Sequence, residues 1–229
     1  MSTAIVYVDG YNLYYSALRG SAYKWLDLVK LFELVLQAQE PAVDHVHVKF
    51  FTAPAIARYA RHTDEAVQSQ QRYHRALQTL YPDRFSLILG RHHLTEGWLP
   101  QSNSAAPIDH DLRHKVWQVE EKLTDVHIAL NFYRDAMLRT ADVQVVCSND
   151  TDMMPAMAMV RSDFPNQRIG LVAPLPEPSA NEPDRQVATS LQEHAAWTRR
   201  YLRHDELLAA QLPPRVPTRK KPIVKPAYW

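Results

Sequence analysis

The sequence predicts an α/β protein in three layers, a mostly parallel sheet covered by helices on both faces. Two observations carry the prediction. Short runs rich in β-branched residues alternate with segments of helical spacing, the order produced when crossover helices join parallel strands. Two of those runs also end in acid: Ala4–Val8 stops at Asp9, and Val145–Cys147 leads into Ser148–Asn149–Asp150–Thr151–Asp152. In an open parallel sheet, ligands sit just beyond the carboxyl ends of the strands, so the acid tips also predict where a site lies.

Taken in order, strand Ala4–Val8 passes through Gly10 into a helix from Leu13 to Leu18, and Trp25–Gln37 forms a second helix rich in apolar positions. His45–Phe51 alternates with a period of two and reads as a strand. Arg58–Leu80 is a long polar helix closed by Pro82, and Phe85–Gly90 is the next strand. Residues 91–114, with Gly97, Pro100, Asn103 and Pro107, read as an irregular loop. Thr124–Arg139 is an amphipathic helix on which Val126, Leu130, Tyr133 and Met137 recur at helical spacing. The strand ending at Cys147 is followed by the helical Met153–Val160, a fifth strand at Arg168–Ala173, a Pro-rich connector from Pro174 to Pro183, and a final helix from Leu191 to Leu212. Residues 1–212 thus form the folded domain. The last seventeen, Pro213–Trp229, hold five prolines and the bases Arg215, Arg219, Lys220, Lys221 and Lys225 without an acid. That composition predicts a flexible, extended tail, either solvated or acting as a basic arm on phosphate.

The 229 residues are enough for a well-buried core, and 46% hydrophobic with 22% charged residues is ordinary for a globular chain. A formal net charge of +1 gives no global attraction to nucleic acid or membrane, so any electrostatic footprint is local. The single cysteine, Cys147, excludes an internal disulfide and reads as a buried, inert thiol. No apolar run approaches a membrane span and no secretion signal opens the chain, so a cytoplasmic location is expected.

The acids carry the chemistry. Asp9, Asp125, Asp150 and Asp152 form a carboxylate set without an accompanying His/Cys pattern, which suits a hard cation such as magnesium or manganese. Each has a structural alternative. Asp9 and Asp150 can cap the helices that follow them, and Asp125 suits the dipole at the start of its helix. Asn12 can hold the site or cap its helix, while Asn149 and Thr151 read as turn formers. The histidines His92, His93, His110 and His114, with Arg91 and Arg113, lack zinc-finger spacing and suggest a nucleic-acid-facing basic loop or a variable surface loop. Arg58, Arg61, Arg72 and Arg75 could line the same side. Lys122 has the reach for a phosphate, or pairs with Glu120 or Glu121. Tyr11, Tyr14, Tyr15 and Trp98 could stack on unpaired bases.

These residues resemble a known family. Val6–Tyr15 is similar to the opening signature of NYN domains, within the PIN-like nuclease superfamily. Glu121–Val126 resembles the central Lys-x-x-Asp-Val motif, and Val146–Met153 the Ser-Gly-Asp-Ser-Asp-Phe strand end. The three occur in family order over about residues 4–212. The resemblance implies a doubly wound α/β fold and a metal-dependent endoribonuclease. It implies Asp9, Asp125, Asp150 and Asp152 as metal-binding catalytic acids, Asn12 and Ser148 as supporting positions, and RNA as partner; a homodimer is possible. Asn149 stands where the family has Gly and Met153 where it has Phe. Asn131 occupies a position, six residues after Asp125, where many members carry a further acid, which weakens the expectation of a second metal. A haloacid-dehalogenase-like phosphatase would need an aspartate where Tyr11 stands. An RNA-binding or regulatory protein with weak or no catalysis is the alternative reading.

Overall fold

The structure, a computed structural model, describes residues 2–102, 107–178 and 185–229. Asn103 of the expected loop and positions 179–183 of the expected connector lie outside the described residues.

Six strands form one parallel sheet: β1 (Ser2–Asp9), β2 (Val43–Thr52), β3 (Phe85–Leu89), β6 (Val143–Cys147), β7 (Arg168–Val172) and β8 (Trp197–Arg199), in the order β3-β2-β1-β6-β7-β8. Counting sheet strands alone, this is the 3-2-1-4-5-6 order of a doubly wound fold, with its switch point between β1 and β6. β-alternation separates two cores. Ala4, Val6 and Val8 join one, with helices α2 (Leu28–Gln39), α3 (Thr63–Leu80) and α7 (His204–Ala209). Ile5 and Tyr7 join the other, with α4 (Thr124–Leu138), α5 (Met154–Asp163) and the short α6 (Thr189–Gln192). Among the described residues no helix is long and apolar enough to cross a membrane.

Four sequence expectations are corrected. The stretch read as an irregular loop is an antiparallel hairpin, β4 (Arg91–Pro100) paired with β5 (Arg113–Lys122) from Arg91↔Lys122 to Pro100↔Arg113. Its faces are mostly solvated, so hydrophobic alternation, the usual strand signal, is weak. The expected final helix is broken into α6, β8 and α7. On α4 the buried stripe is Ile128, Phe132 and Ala136, while Val126, Leu130 and Met137 are exposed. The helix carries two apolar stripes, and Phe132, meeting Tyr7 edge-on at 5.1 Å, decides which one turns inward.

The fourth correction concerns the tail. Residues 213–229 are packed: β9 (Arg215–Val216) pairs with β10 (Ile223–Val224), and Val216 and Ile223 are fully buried in the α2/α3 core. Trp25 donates its indole N–H to the Pro213 carbonyl at 2.9 Å, and Trp229 packs edge-on to Trp25 and tilted against Tyr73. Val216 and Ile223, each between two prolines, point inward, while Val224, Arg215, Arg219, Lys220 and Lys221 stay exposed. Proline suits such an edge hairpin because its missing N–H is not demanded there.

Candidate active site

The switch point is assembled by side chains reaching across it. Asp9 ends β1 with the same parity as Tyr7, on the α4 side of the sheet. Its Oδ1 accepts the Asn12 backbone N–H at 2.9 Å, capping α1 (Gly10–Leu13), and its Oδ2 accepts the Ser148 hydroxyl at 3.0 Å. Ser148 Oγ in turn accepts the Asp150 N–H at 3.0 Å, and Asn12 Oδ1 accepts the Asn149 N–H at 3.0 Å. Asn149 anchors the strand end to the segment beyond it, its amide oxygen accepting the Ala188 N–H at 2.9 Å. Asp150 Oδ1 accepts the Asp152 N–H at 3.1 Å. The capping roles of Asp9 and Asp150 are therefore both realised, each using Oδ1. The turn at Gly10 is tight: a Cβ there would stand 2.7 Å from the Phe51 carbonyl and from the Phe50 ring.

A third element closes the site. Between β5 and α4 the chain turns through Leu123 in the left-handed region, φ 78°, an uncommon conformation for leucine and of a kind that gathers at functional sites. The turn aims Glu121, at the strand end, and Asp125, in the first helical turn, into one cavity. Gly90 lets it approach, since a Cβ there would lie 2.4 Å from Thr124 Oγ1.

The cavity has a volume of about 340 Å³ and is lined by Asp9, Tyr11, Asn12, Tyr15, Ser16, Glu121, Asp125 and Asp150. Burial, then the charges of Asp125 and Asp150, push the Asp9 carboxyl up to about 6 against the pull of its two hydrogen bonds. Burial, aided by Asp9 and Asp125, takes Glu121 up to about 7 although the Thr124 hydroxyl donates to it. Asp125 is raised by burial and by Asp150 and Asp152. Among the described residues none of these five carboxylates is in an ion pair with Lys, Arg or His. Also among the described residues, no three His, Cys, Asp or Glu side chains are already gathered as a ligand set. The acids ring the cavity instead. Their chemistry fits a hard divalent cation, since they supply several carboxylate oxygens and no competing base.

The structure brings together most of the expected site. Asp9, Asp125, Asp150, Asn12 and Tyr11 line the cavity, Ser148 and Asn149 brace it, and Asp152 lies beside it, close enough to act on Asp125. Arg91 and Lys122 pair at the hairpin base, but Lys122 is held by Glu120. Arg113 is nine residue steps along the hairpin, about 30 Å at a strand's rise, where it donates to the Trp98 carbonyl. It is excluded from the cavity. Asn131 is corrected too: it accepts from Lys49 Nζ at 3.2 Å and donates to the His127 carbonyl at 2.9 Å. Six residues advance a helix by about 600°, which leaves Asn131 about 120° around the axis from Asp125. The residue missed as a site member is Glu121. Its signal was present, an acid four residues before Asp125 at a strand-to-helix joint, but only a hairpin ending there aims it inward. Cys147 is fully buried, and burial raises its thiol.

Fold and cavity define a doubly wound α/β protein with an acid-lined site at the switch point of its sheet. A crystal structure of a Vibrio parahaemolyticus protein of unknown function superposes with a TM-score of 0.51 at 16% identity, covering 89% of this chain and 94% of that one. It shares the fold. No protein-family model matches the chain. The protein named 6-hydroxy-3-succinoylpyridine 3-monooxygenase HspA, from Pseudomonas putida, is 37% identical over 241 residues, spanning 98% of this chain and 74% of the relative. The chain belongs to the family of that protein, a family that includes an enzyme.

Proposed function

We propose that this protein is a metal-dependent nuclease that hydrolyses phosphodiester bonds of RNA. The observation that carries the reading is the group of four carboxylates, Asp9, Glu121, Asp125 and Asp150, around one cavity at the switch point, with no cation of the described residues paired to them. Like charges so placed call for a positive ligand. An all-carboxylate donor set suits magnesium or manganese, and the resemblance to NYN domains supports the same choice.

Asp9, Asp125 and Asp150, with Asp152 beside them, would hold the ion. A bound dication supplies a polarised phosphoryl oxygen and a water of lowered pKa. The protein's residues do the rest. Ser148 fixes the Asp9 carboxylate and the Asp150 backbone relative to each other, so two walls of the cavity cannot drift apart. Glu121, its carboxyl pushed up to about 7 by burial, can in its ionised form accept a proton from an attacking water. Arg91, at the hairpin base, is the basic residue of the expected set best placed for a phosphate leading into the cavity.

The relative's name favours a second reading, oxygenation of a hydroxypyridine. Against it, β1 enters α1 through Asp9–Gly10–Tyr11–Asn12, and the chain's five glycines form no G-x-G-x-x-G for a flavin or nicotinamide dinucleotide. One comparison tests both. Purified protein is incubated with RNA under manganese, magnesium or EDTA, and separately with 6-hydroxy-3-succinoylpyridine, flavin and NADH under oxygen. RNA cleavage abolished by EDTA and by Asp150→Asn supports the nuclease. Hydroxylation with intact RNA overturns it.

A further inference from the structure

The cavity has an aromatic wall that hydrolysis does not require. Tyr11 and Tyr15 line it beside the carboxylates, their ring centroids 5.7 Å apart and their planes inclined by 31°. Tyr14 stands edge-on to Tyr15 at 5.2 Å, and His92, reaching over from the hairpin, stands edge-on to Tyr11 at 5.1 Å. His92 is itself fixed through Nδ1, which lies 2.7 Å from the Pro54 carbonyl it donates to. The Arg19 guanidinium lies 5.4 Å from the centre of the Tyr15 ring. Despite these neighbours Tyr15 is 52% exposed. The backbone underneath, Tyr14–Leu18, is a π-helical turn, a rare geometry that recurs at functional sites. Here it continues α1 while keeping both tyrosines outside the core, with Leu18 alone of the five buried.

We propose that Tyr15, backed by Tyr11, is a stacking subsite for a planar heteroaromatic ring. On the nuclease reading, on which the choice of ring rests, it is an unpaired nucleobase beside the scissile phosphate, so the substrate is single-stranded. Three arguments converge. A paired base has both faces covered by its neighbours and cannot offer one to Tyr15, whereas an unstacked base can. The cavity's volume of about 340 Å³ accommodates a ligand of nucleotide size, not a duplex. The carboxylates repel phosphate, so affinity must come from elsewhere, and a ring face with the Arg19 cation alongside supplies it without sequence preference.

The test is fluorescence anisotropy in EDTA, where metal-dependent cleavage cannot intervene. The probes are a labelled single-stranded 12-mer RNA, the same 12-mer with abasic positions, and its duplex. Unlabelled 6-hydroxy-3-succinoylpyridine is titrated separately by calorimetry. The expected result is that Tyr15→Ala weakens single-strand binding about tenfold, the scale of one lost stack. Tyr15→Trp should restore the affinity, and Leu208→Ala, exposed on α7, should leave it unchanged. The abasic strand and the duplex should bind weakly and indifferently to residue 15. Equal affinity for single strand and duplex, or no effect of Tyr15→Ala on either RNA or pyridine, overturns the proposal. If Tyr15→Ala abolishes pyridine binding and leaves RNA binding untouched, the subsite stands with a free ring as its ligand, and its assignment to a nucleobase falls instead. Stacking that survives alongside absent RNA cleavage with manganese overturns the nuclease reading alone.

Discussion

Asp9 and Asp135 are buried almost equally, at 5% and 7% exposure, and Tyr7 stands between them, two residues before one and hydrogen-bonded to the other. Their surroundings are opposite. Asp135 Oδ2 accepts the Tyr7 hydroxyl at 2.7 Å and Lys49 Nζ at 2.6 Å, and Gln144 donates to the same Tyr7 oxygen at 2.7 Å. Asp9 meets one hydroxyl and one backbone N–H, and beyond them further carboxylates. One cluster is neutralised within the protein. The other has no positive partner among the described residues. Burial alone therefore does not identify a functional acid; what the acid has been given as partners does.

The largest effect should separate these clusters by activity. Asp150→Asn removes a cavity charge without emptying its place and should lower RNA cleavage at least a hundredfold, with the melting temperature unchanged or slightly raised as repulsion is relieved. Asp150→Asn protein that cleaves at the wild-type rate in a manganese-supported gel assay would break the comparison at its functional end.

A loss on the opposite face of the sheet gives the reference for a purely structural change. Deleting residues 213–229 strips Val216 and Ile223 from the core, and at about 2 kcal/mol for each buried side chain should cost about 4 kcal/mol. Chemical denaturation reads this directly, and an unchanged midpoint would show that the hairpin contributes nothing. The expectation reverses the one that composition suggests. Prolines and bases are what a disordered tail is made of, and the inward alternation of a two-residue strand is too short to read from sequence. The doubly wound sheet was legible because each of its core strands is a run of apolar residues with an acid or a turn behind it. The hairpin was not, because its faces are mostly solvated and its strands therefore lack a clear hydrophobic alternation. Within the site, Asp9, Asp125 and Asp150 were legible from strand ends and helix starts. Glu121 required the Leu123 turn, and the placement of Asn131 required knowing which stripe of α4 is buried.

Asp135→Asn sharpens the structural end. It leaves Lys49, with 17% of its side chain exposed, beside neutral partners only, which should cost about 2 kcal/mol, since a buried charge that loses its partner is destabilising and partial solvation moderates the loss. Cleavage per folded molecule should be unaltered. A fall in that rate at full folding would show that the Lys49 network acts on the cavity.

Asp9 also makes a pH prediction with a definite sign. Its carboxyl is raised to about 6 in the folded protein, so between roughly pH 4 and 6 the native state holds a proton that the unfolded chain has released. Its contribution to stability is full below that window and is lost as pH rises through about 6. Asp9→Asn keeps an oxygen for the Asn12 N–H but does not titrate. Its melting temperature relative to wild type should therefore be highest above pH 7 and should decline towards pH 4. Saturating manganese should lift the wild type at pH 8 and shrink the difference. A gap independent of pH would mean that Asp9 bears no such penalty.

The smallest effect is expected at Asn131, and it is the sharpest test of whether the two clusters are separate. A carboxylate placed there would join Lys49 rather than the cavity, because the side chain already accepts from Lys49 Nζ and is steadied by the His127 carbonyl one turn earlier. About 120° of helix rotation and about 9 Å of rise separate it from Asp125, and Ile128 and Phe132, both buried in the sheet-facing stripe, oppose any rotation that would reduce that distance. Asn131→Asp should then leave the manganese affinity and the cleavage rate within twofold of wild type, with the change confined to stability, as Lys49 shares its charge between two acids. Calorimetric titration with manganese decides the matter. A tenfold gain in affinity would mean that position 131 reaches the metal, and that the neutralised cluster and the open one are a single site.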